Sequence, residues 1–144
     1  MVDALKQIHR LLRPGGRLVD IHPTDDTHQV LVQLGQSRHL AGWLREANDY
    51  LEYRQATEAI DEAVDRGWFE LDRRREFFYE YHADSIASLK EYLAEHWRDA
   101  IVDDRVAASV EELMRSLEPD QMCILRVPVI ITRLTALPMP AHDS

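Results

Sequence analysis

The stretch from Ala4 to Pro23 constrains the fold more than any other part of this chain. Val2, Leu5, Ile8 and Leu12 recur at spacings of three and four, with Lys6, Gln7, Arg10 and Arg13 between them. That pattern predicts an amphipathic helix with one apolar stripe. Pro14 disfavours helical geometry at Arg13, and Pro14-Gly15 suits the central positions of a type II turn, the second of which needs positive φ. Leu18, Val19 and Ile21 then form an apolar run that ends at Pro23. It is too short for a helix and suits a strand covered on both faces, as in a parallel sheet. Helix, glycine turn and buried strand together make an α/β unit.

Downstream, alternation over Val30, Val32 and Leu34 suggests a strand, Gly35–Ser37 a turn, and His39–Arg45 a returning strand, the same stretch being also readable as irregular helix. Asp49 and Glu52 have capping-box spacing ahead of a helix carrying Tyr53, Ala56, Ile60, Ala63 and Val64, which Gly67 stops. Trp68–Leu71 and Arg75–Ala83 read as two strands around a polar turn. Asp84 or Ser85 caps a helix through Ile86, Leu89, Leu93 and Trp97, and Asp103 or Asp104 caps another that Pro119 closes. The last strand, Met122–Leu134, contains Pro128, which marks a bulge or an edge-facing position because proline has no N–H to donate. The tail from Pro138 to Ser144 is expected to fray.

At 144 residues the chain has the length of one domain, with a helix–turn–strand unit over 1–23, an insertion over 24–72 and C-terminal strands and helices over 73–137. Its formal charge of −9 argues against nucleic acid as a partner, since that affinity comes from Lys and Arg displacing counterions. The single cysteine, Cys123, makes no demand for an oxidising compartment. No apolar run is long enough to cross a bilayer and no secretory pattern opens the chain, so a cytoplasmic protein without a membrane partner is expected.

From Ile8 through Arg13-Pro14-Gly15-Gly16 to Val19, the chain resembles the segment late in the Rossmann-like domain of class I S-adenosylmethionine-dependent methyltransferases. There a helix ending in an Arg-x-Leu-x-Pro-Gly-Gly pattern leads into the fifth strand. The resemblance implies a C-terminal half of such a domain. Its fold would be α/β to α+β, a mixed sheet with flanking helices and an inserted hairpin and helix. The family finishes with a helix and two antiparallel strands, which Arg75–Ala83 and Met122–Leu134 can supply, and insertions such as Thr24–Asp72 commonly shape its acceptor pocket. Its glycine-rich cofactor loop and acidic residue would lie upstream of Met1. The chain has five glycines and no Gly-x-Gly, and Gly15-Gly16 follow a helix, the reverse of a ligand-cradling context. No cofactor-binding residue is therefore assigned. S-adenosylmethionine is expected only if a glycine-rich N-terminal half completes the site.

Candidate chemistry centres on His22, Asp25, Asp26 and His28, just beyond a strand end, where open α/β sheets place their ligand crevice. Two imidazoles and a carboxylate can hold a metal, or a His–Asp pair can act as general base on an acceptor hydroxyl or amine; a polar loop has the same composition, and no metal site is assigned. His22, Asp25, His28 and Tyr50 are the acceptor-pocket candidates for a small-molecule acceptor. Trp43, Tyr50, Tyr53, Trp68, Phe77, Phe78, Tyr79 and Tyr81 can line an apolar pocket, but core packing accounts for most of them more simply. Arg73-Arg74-Arg75 can grip an anion, but is read as a solvated hairpin tip. Cys123 reads as a buried small hydrophobe.

The expected function is a methyltransferase-like module that shapes the acceptor side of a methyl-transfer site and is not catalytic alone. The alternative is a free-standing α+β binding or dimerisation module; a small hydrolase or lyase using His22, Asp25 and His28 is a third possibility. A homodimer, or the missing N-terminal half, is expected to cover the strand edge at Arg17–His22.

Overall fold

The computed structural model describes residues 1–139. Among these, four helices and six strands run α1 (Val2–Leu11), β1 (Arg17–Pro23), β2 (His28–Leu34), β3 (Ser37–Glu46), α2 (Leu51–Asp65), β4 (Phe69–Ala83), α3 (Ile86–His96), β5 (Ala100–Ile101), α4 (Asp104–Leu113) and β6 (Gln121–Ala136). The strands are ordered β1-β6-β2-β3-β5, with β4 also paired to β6. The β1–β6, β2–β6, β2–β3 and β3–β5 ladders are all antiparallel, so the expected mixed sheet gives way to an antiparallel one. The chain divides into two units, and β4 and β6 contribute residues to both.

The first unit comprises residues 1–25, 51–77 and the C-terminal residues from 129 onward. Its helix α1 ends where the sequence requires it to. Gly15 takes φ 84°, and the Gly16 N–H closes the turn on the Arg13 carbonyl at 2.8 Å. A Cβ on Gly16 would lie 2.9 Å from that same oxygen. Leu5 of α1, Ala59, Ile60 and Ala63 of α2, Trp68, Phe69 and Leu134 form the core, with Val2, Ile8, Leu12 and Leu18 packed against it. His9 ties α1 to the end of β6, its Nε2 lying 2.6 Å from the Leu137 carbonyl. β1 pairs with β6 from Arg17 opposite Thr135 to Pro23 opposite Val129. It ends the strand order, so its other edge is unpaired among the described residues.

β1 departs from the expected two-sided burial. Leu18, Asp20 and His22 are half-buried, whereas Val19 and Ile21 are 52% and 58% exposed. A strand sends alternate residues to opposite faces, and only one face here carries helices. A second difference concerns the arginines: β4 is one strand of 15 residues, and Arg73–Arg75 lie inside it, not at a hairpin tip. Polar residues resembled a turn because both the wet face of a sheet and its salt-bridged face tolerate them. The capping box is also not formed, as Asp49 and Tyr50 both take positive φ, 53° and 62°, ahead of α2.

The second unit comprises residues 26–50 and 78–128. The expected hairpin forms, with His28 opposite Leu44 and Leu34 opposite Ser37. Ser85 caps α3 by accepting the Ser88 N–H at 3.1 Å. Asp103 sits at the N-cap of α4, but its carboxylate is engaged with Arg45 instead of the helix. Cys123 is fully buried, and desolvation pushes its thiol up to about 11. The short β5, absent from the sequence reading, pairs its two residues with Arg45 and Glu46. Pro128 falls where the ladders with β1 and β2 leave β6 unpaired, between Arg126 and Val129. Residues 140–144, part of the tail expected to fray, lie outside the described residues.

Candidate functional site

The first unit assembles a polar chain at the C-terminal end of β1. Asp20 and His22 are two residues apart on a strand, which puts both side chains on the face covered by α2. His22 Nδ1 is hydrogen-bonded to Asp20 Oδ2, and His22 Nε2 lies 2.9 Å from the Thr57 hydroxyl. Thr57 can in turn donate to the Tyr53 carbonyl one helical turn back, at 3.3 Å. The imidazole and carboxylate side chains are only 10% and 19% exposed.

The partners dictate where the protons sit. An ionised carboxylate only accepts, so Nδ1 carries a proton and Nε2 presents its lone pair towards Thr57. If Nε2 takes up a proton, it donates to the Thr57 oxygen while Thr57 donates to the Tyr53 carbonyl. Every donor then still has an acceptor. Both ring nitrogens are thus engaged, Nδ1 by Asp20 and Nε2 by Thr57, so an acceptor group would have to take the place of the Thr57 hydroxyl at Nε2 to be deprotonated there. The carboxylate–imidazole–hydroxyl order also matches a nucleophilic triad. Thr57, however, lies in the interior of α2, where the amides around it are spent on helical hydrogen bonds and cannot serve as oxyanion donors.

The other sequence-predicted residues have different surroundings. Asp25 forms an ion pair with Arg54 of α2 at 3.0 Å. His28, in the second unit, is fully buried, with its ring 4.5 Å from that of Tyr50 and 5.3 Å from that of Trp97. The Tyr50 hydroxyl donates to the Leu44 carbonyl, and Trp97 Nε1 donates to the buried Glu46 carboxylate. Burial, and after it the Glu46 charge, pushes the Tyr50 phenol up to about 12. His28 and Tyr50 therefore build an interior aromatic cluster in the second unit. Among the described residues, no group of three or more His, Cys, Asp or Glu side chains is placed to hold a metal ion.

Asp20 and Thr57 escaped the sequence reading for different reasons. Asp20 was legible, since Asp-x-His on a strand shares a face. Thr57 was not, because a contact across 35 positions leaves no local signature.

A concavity of about 580 Å³ lies between β3 and α4 in the second unit. Trp43 lines it, and Arg45 grips Asp103 with two hydrogen bonds of 2.8 and 2.6 Å. Gly42 lets the two elements meet: a Cβ there would lie 2.6 Å from Val106 Cγ2.

The Gly15 N–H donates to the Ala136 carbonyl at 2.8 Å and the Gly16 N–H to Arg13, so neither amide of the glycine pair is available to a ligand. No protein-family model, curated protein or solved structure matches this chain. No helix among the described residues is long and apolar enough to cross a membrane.

Proposed function

We propose that this chain is the acceptor-side module of a methyl-transfer enzyme, in which the Asp20–His22 pair serves as general base toward an acceptor hydroxyl or amine. One observation supports this reading. The unit that contains the helix–Pro-Gly-Gly–strand device also contains parts of β4 and β6, the strands that can supply the two finishing strands the methyltransferase resemblance implies. His22 then stands at the end of the strand that follows the glycine turn. Deprotonating the acceptor raises its nucleophilicity, and Asp20 stabilises the imidazolium that results.

No step is assigned to the cofactor, because the resemblance carries no cofactor-binding residue over onto this sequence. Titration calorimetry with S-adenosylmethionine is expected to give no saturable heat with residues 1–144. If the coding sequence upstream of Met1 continues in frame with a strand and a glycine-rich loop, the extended chain is expected to bind saturably. Saturable micromolar binding to residues 1–144 alone, or no binding by a chain so extended, overturns the reading.

The unpaired edge of β1 favours a second reading, a binding or dimerisation module in which a second copy pairs along Arg17–His22. A concentration-dependent dimer in sedimentation equilibrium, with β1 amides slowed in hydrogen exchange, supports that module. A monomer at all concentrations removes it.

A further inference from the structure

We infer that the helix-free face of the first unit's sheet is a docking surface for an acidic amphipathic helix of a partner protein. The inference rests on this face alone and does not depend on the methyl-transfer reading.

Strand alternation separates the arginine run. Arg74 turns to the covered face, where it pairs with Asp61 at 2.8 Å and donates to Thr132 at 3.2 Å. Arg73 and Arg75 turn the other way and, with Arg133, Val19 and Ile131, border an open concavity of about 230 Å³. Among the described residues neither Arg73 nor Arg75 makes an ion pair. Arg133 lies 3.6 Å from Asp72, whose carboxylate also accepts from Thr135 at 2.6 Å. The chain as a whole has 26 acids against 17 bases, yet this patch sets three arginines against one aspartate. Beside the arginines the exposed side chains of Val19 and Ile21 provide an aliphatic floor.

Shape and charge decide the occupant. The concavity is smaller and shallower than the roughly 300–1,000 Å³ that buries a small molecule. Three strands about 4.8 Å apart span roughly the 10 Å width of one α-helix. A second copy stacked face to face about a two-fold axis would set the three arginines against their own counterparts, which is repulsive. A flat anionic membrane would meet much more of a chain of net charge −9 than the patch alone, whereas a single acidic helix meets only the patch. An apolar stripe flanked by Asp and Glu satisfies both parts of the face, because guanidinium groups bind carboxylates in two-pronged geometry and the aliphatic floor takes the stripe.

The test uses the full chain and a labelled synthetic helix of about 18 residues, with Leu at i, i+3, i+4 and i+7 and Glu on both flanks. Fluorescence anisotropy is expected to show saturable binding that weakens as salt rises. Replacing every Glu by Lys should abolish it. The Arg73→Glu/Arg75→Glu variant should weaken it at least tenfold, and Arg73→Gln/Arg75→Gln by an intermediate factor, with unchanged urea denaturation midpoints. Absence of binding, equal binding of the Lys peptide, or equal binding by both variants overturns the proposal. So does co-sedimentation with phosphatidylserine vesicles in place of peptide binding, which would make the patch a membrane contact.

Discussion

The two faces of the β1, β4 and β6 segments in the first unit are built from alternate residues of the same strands and have opposite chemistry. The face under the helices carries Asp20, His22, Arg74 and a fully buried Thr132 alongside Leu18 and Leu134. The open face carries Val19, Ile21 and Ile131 among arginines. Much of the polar chemistry is inside, and several branched aliphatics are outside. Burial in this unit thus follows from which face the helices cover, and residue type alone does not predict it. On the covered face the polar groups are tolerable because each has a partner: Asp20 for His22, Thr57 beyond it, Asp61 and Thr132 for Arg74. On the open face the aliphatics contribute little to folding and remain available for binding.

The largest predicted contrast lies between Leu134→Ala and Ile21→Ala. The first empties a fully buried site and should cost about 2–5 kcal/mol in urea denaturation, whereas the second should stay within about 0.5 kcal/mol. Equal losses would mean that the open face is covered in solution. Next comes His22→Ala, which leaves Asp20 without its hydrogen-bond donor in a half-buried position and should cost about 1–3 kcal/mol. A His22→Ala chain as stable as the parent would show that the polar chain does not help hold β1 to α2. A smaller difference separates neighbouring arginines. Arg74→Met should cost about 1 kcal/mol by stranding Thr132 and breaking a half-exposed ion pair, while Arg73→Met should leave the denaturation midpoint unmoved. Reversal of that order would place the two side chains on the wrong faces. For Val19→Thr/Ile21→Thr the expected stability change is again within about 0.5 kcal/mol of the parent, with a fall in the fluorescence of a dye that reports exposed apolar surface. Unchanged dye binding would locate the exposed apolar surface elsewhere.

Much of the local structure was legible. The stripe from Val2 to Leu12 packs as its spacing required, Gly15 takes the positive φ of its turn, and Ser85 caps α3. Each of these depends on interactions within a few residues, so composition and spacing suffice. Aromatic content was a poorer guide. Trp68 is buried, but Trp43, Phe77, Phe78 and Tyr79 remain between 44% and 54% exposed, and Phe78 lies under the Arg126 guanidinium at 3.7 Å. An aromatic ring is favoured on either side of a strand, so its presence does not state which side has a roof. The candidate site was half legible: His22 stood out beyond the glycine turn, but its surroundings did not.

The sequence by itself determined the helix, the sharp Pro14–Gly16 turn, the strand after it and the phase in which residues along that strand share a face. Those are consequences of φ restriction, side-chain period and hydrogen bonds between near neighbours. Only the tertiary structure decided which phase is covered and which edge of β1 is paired. It alone placed Thr57 against His22 and sent Arg73 and Arg75 away from Arg74's partners. Those outcomes depend on where α2 and β6, remote from β1 in the chain, come to lie, and alternation along a strand is symmetric until a helix packs on one side of it.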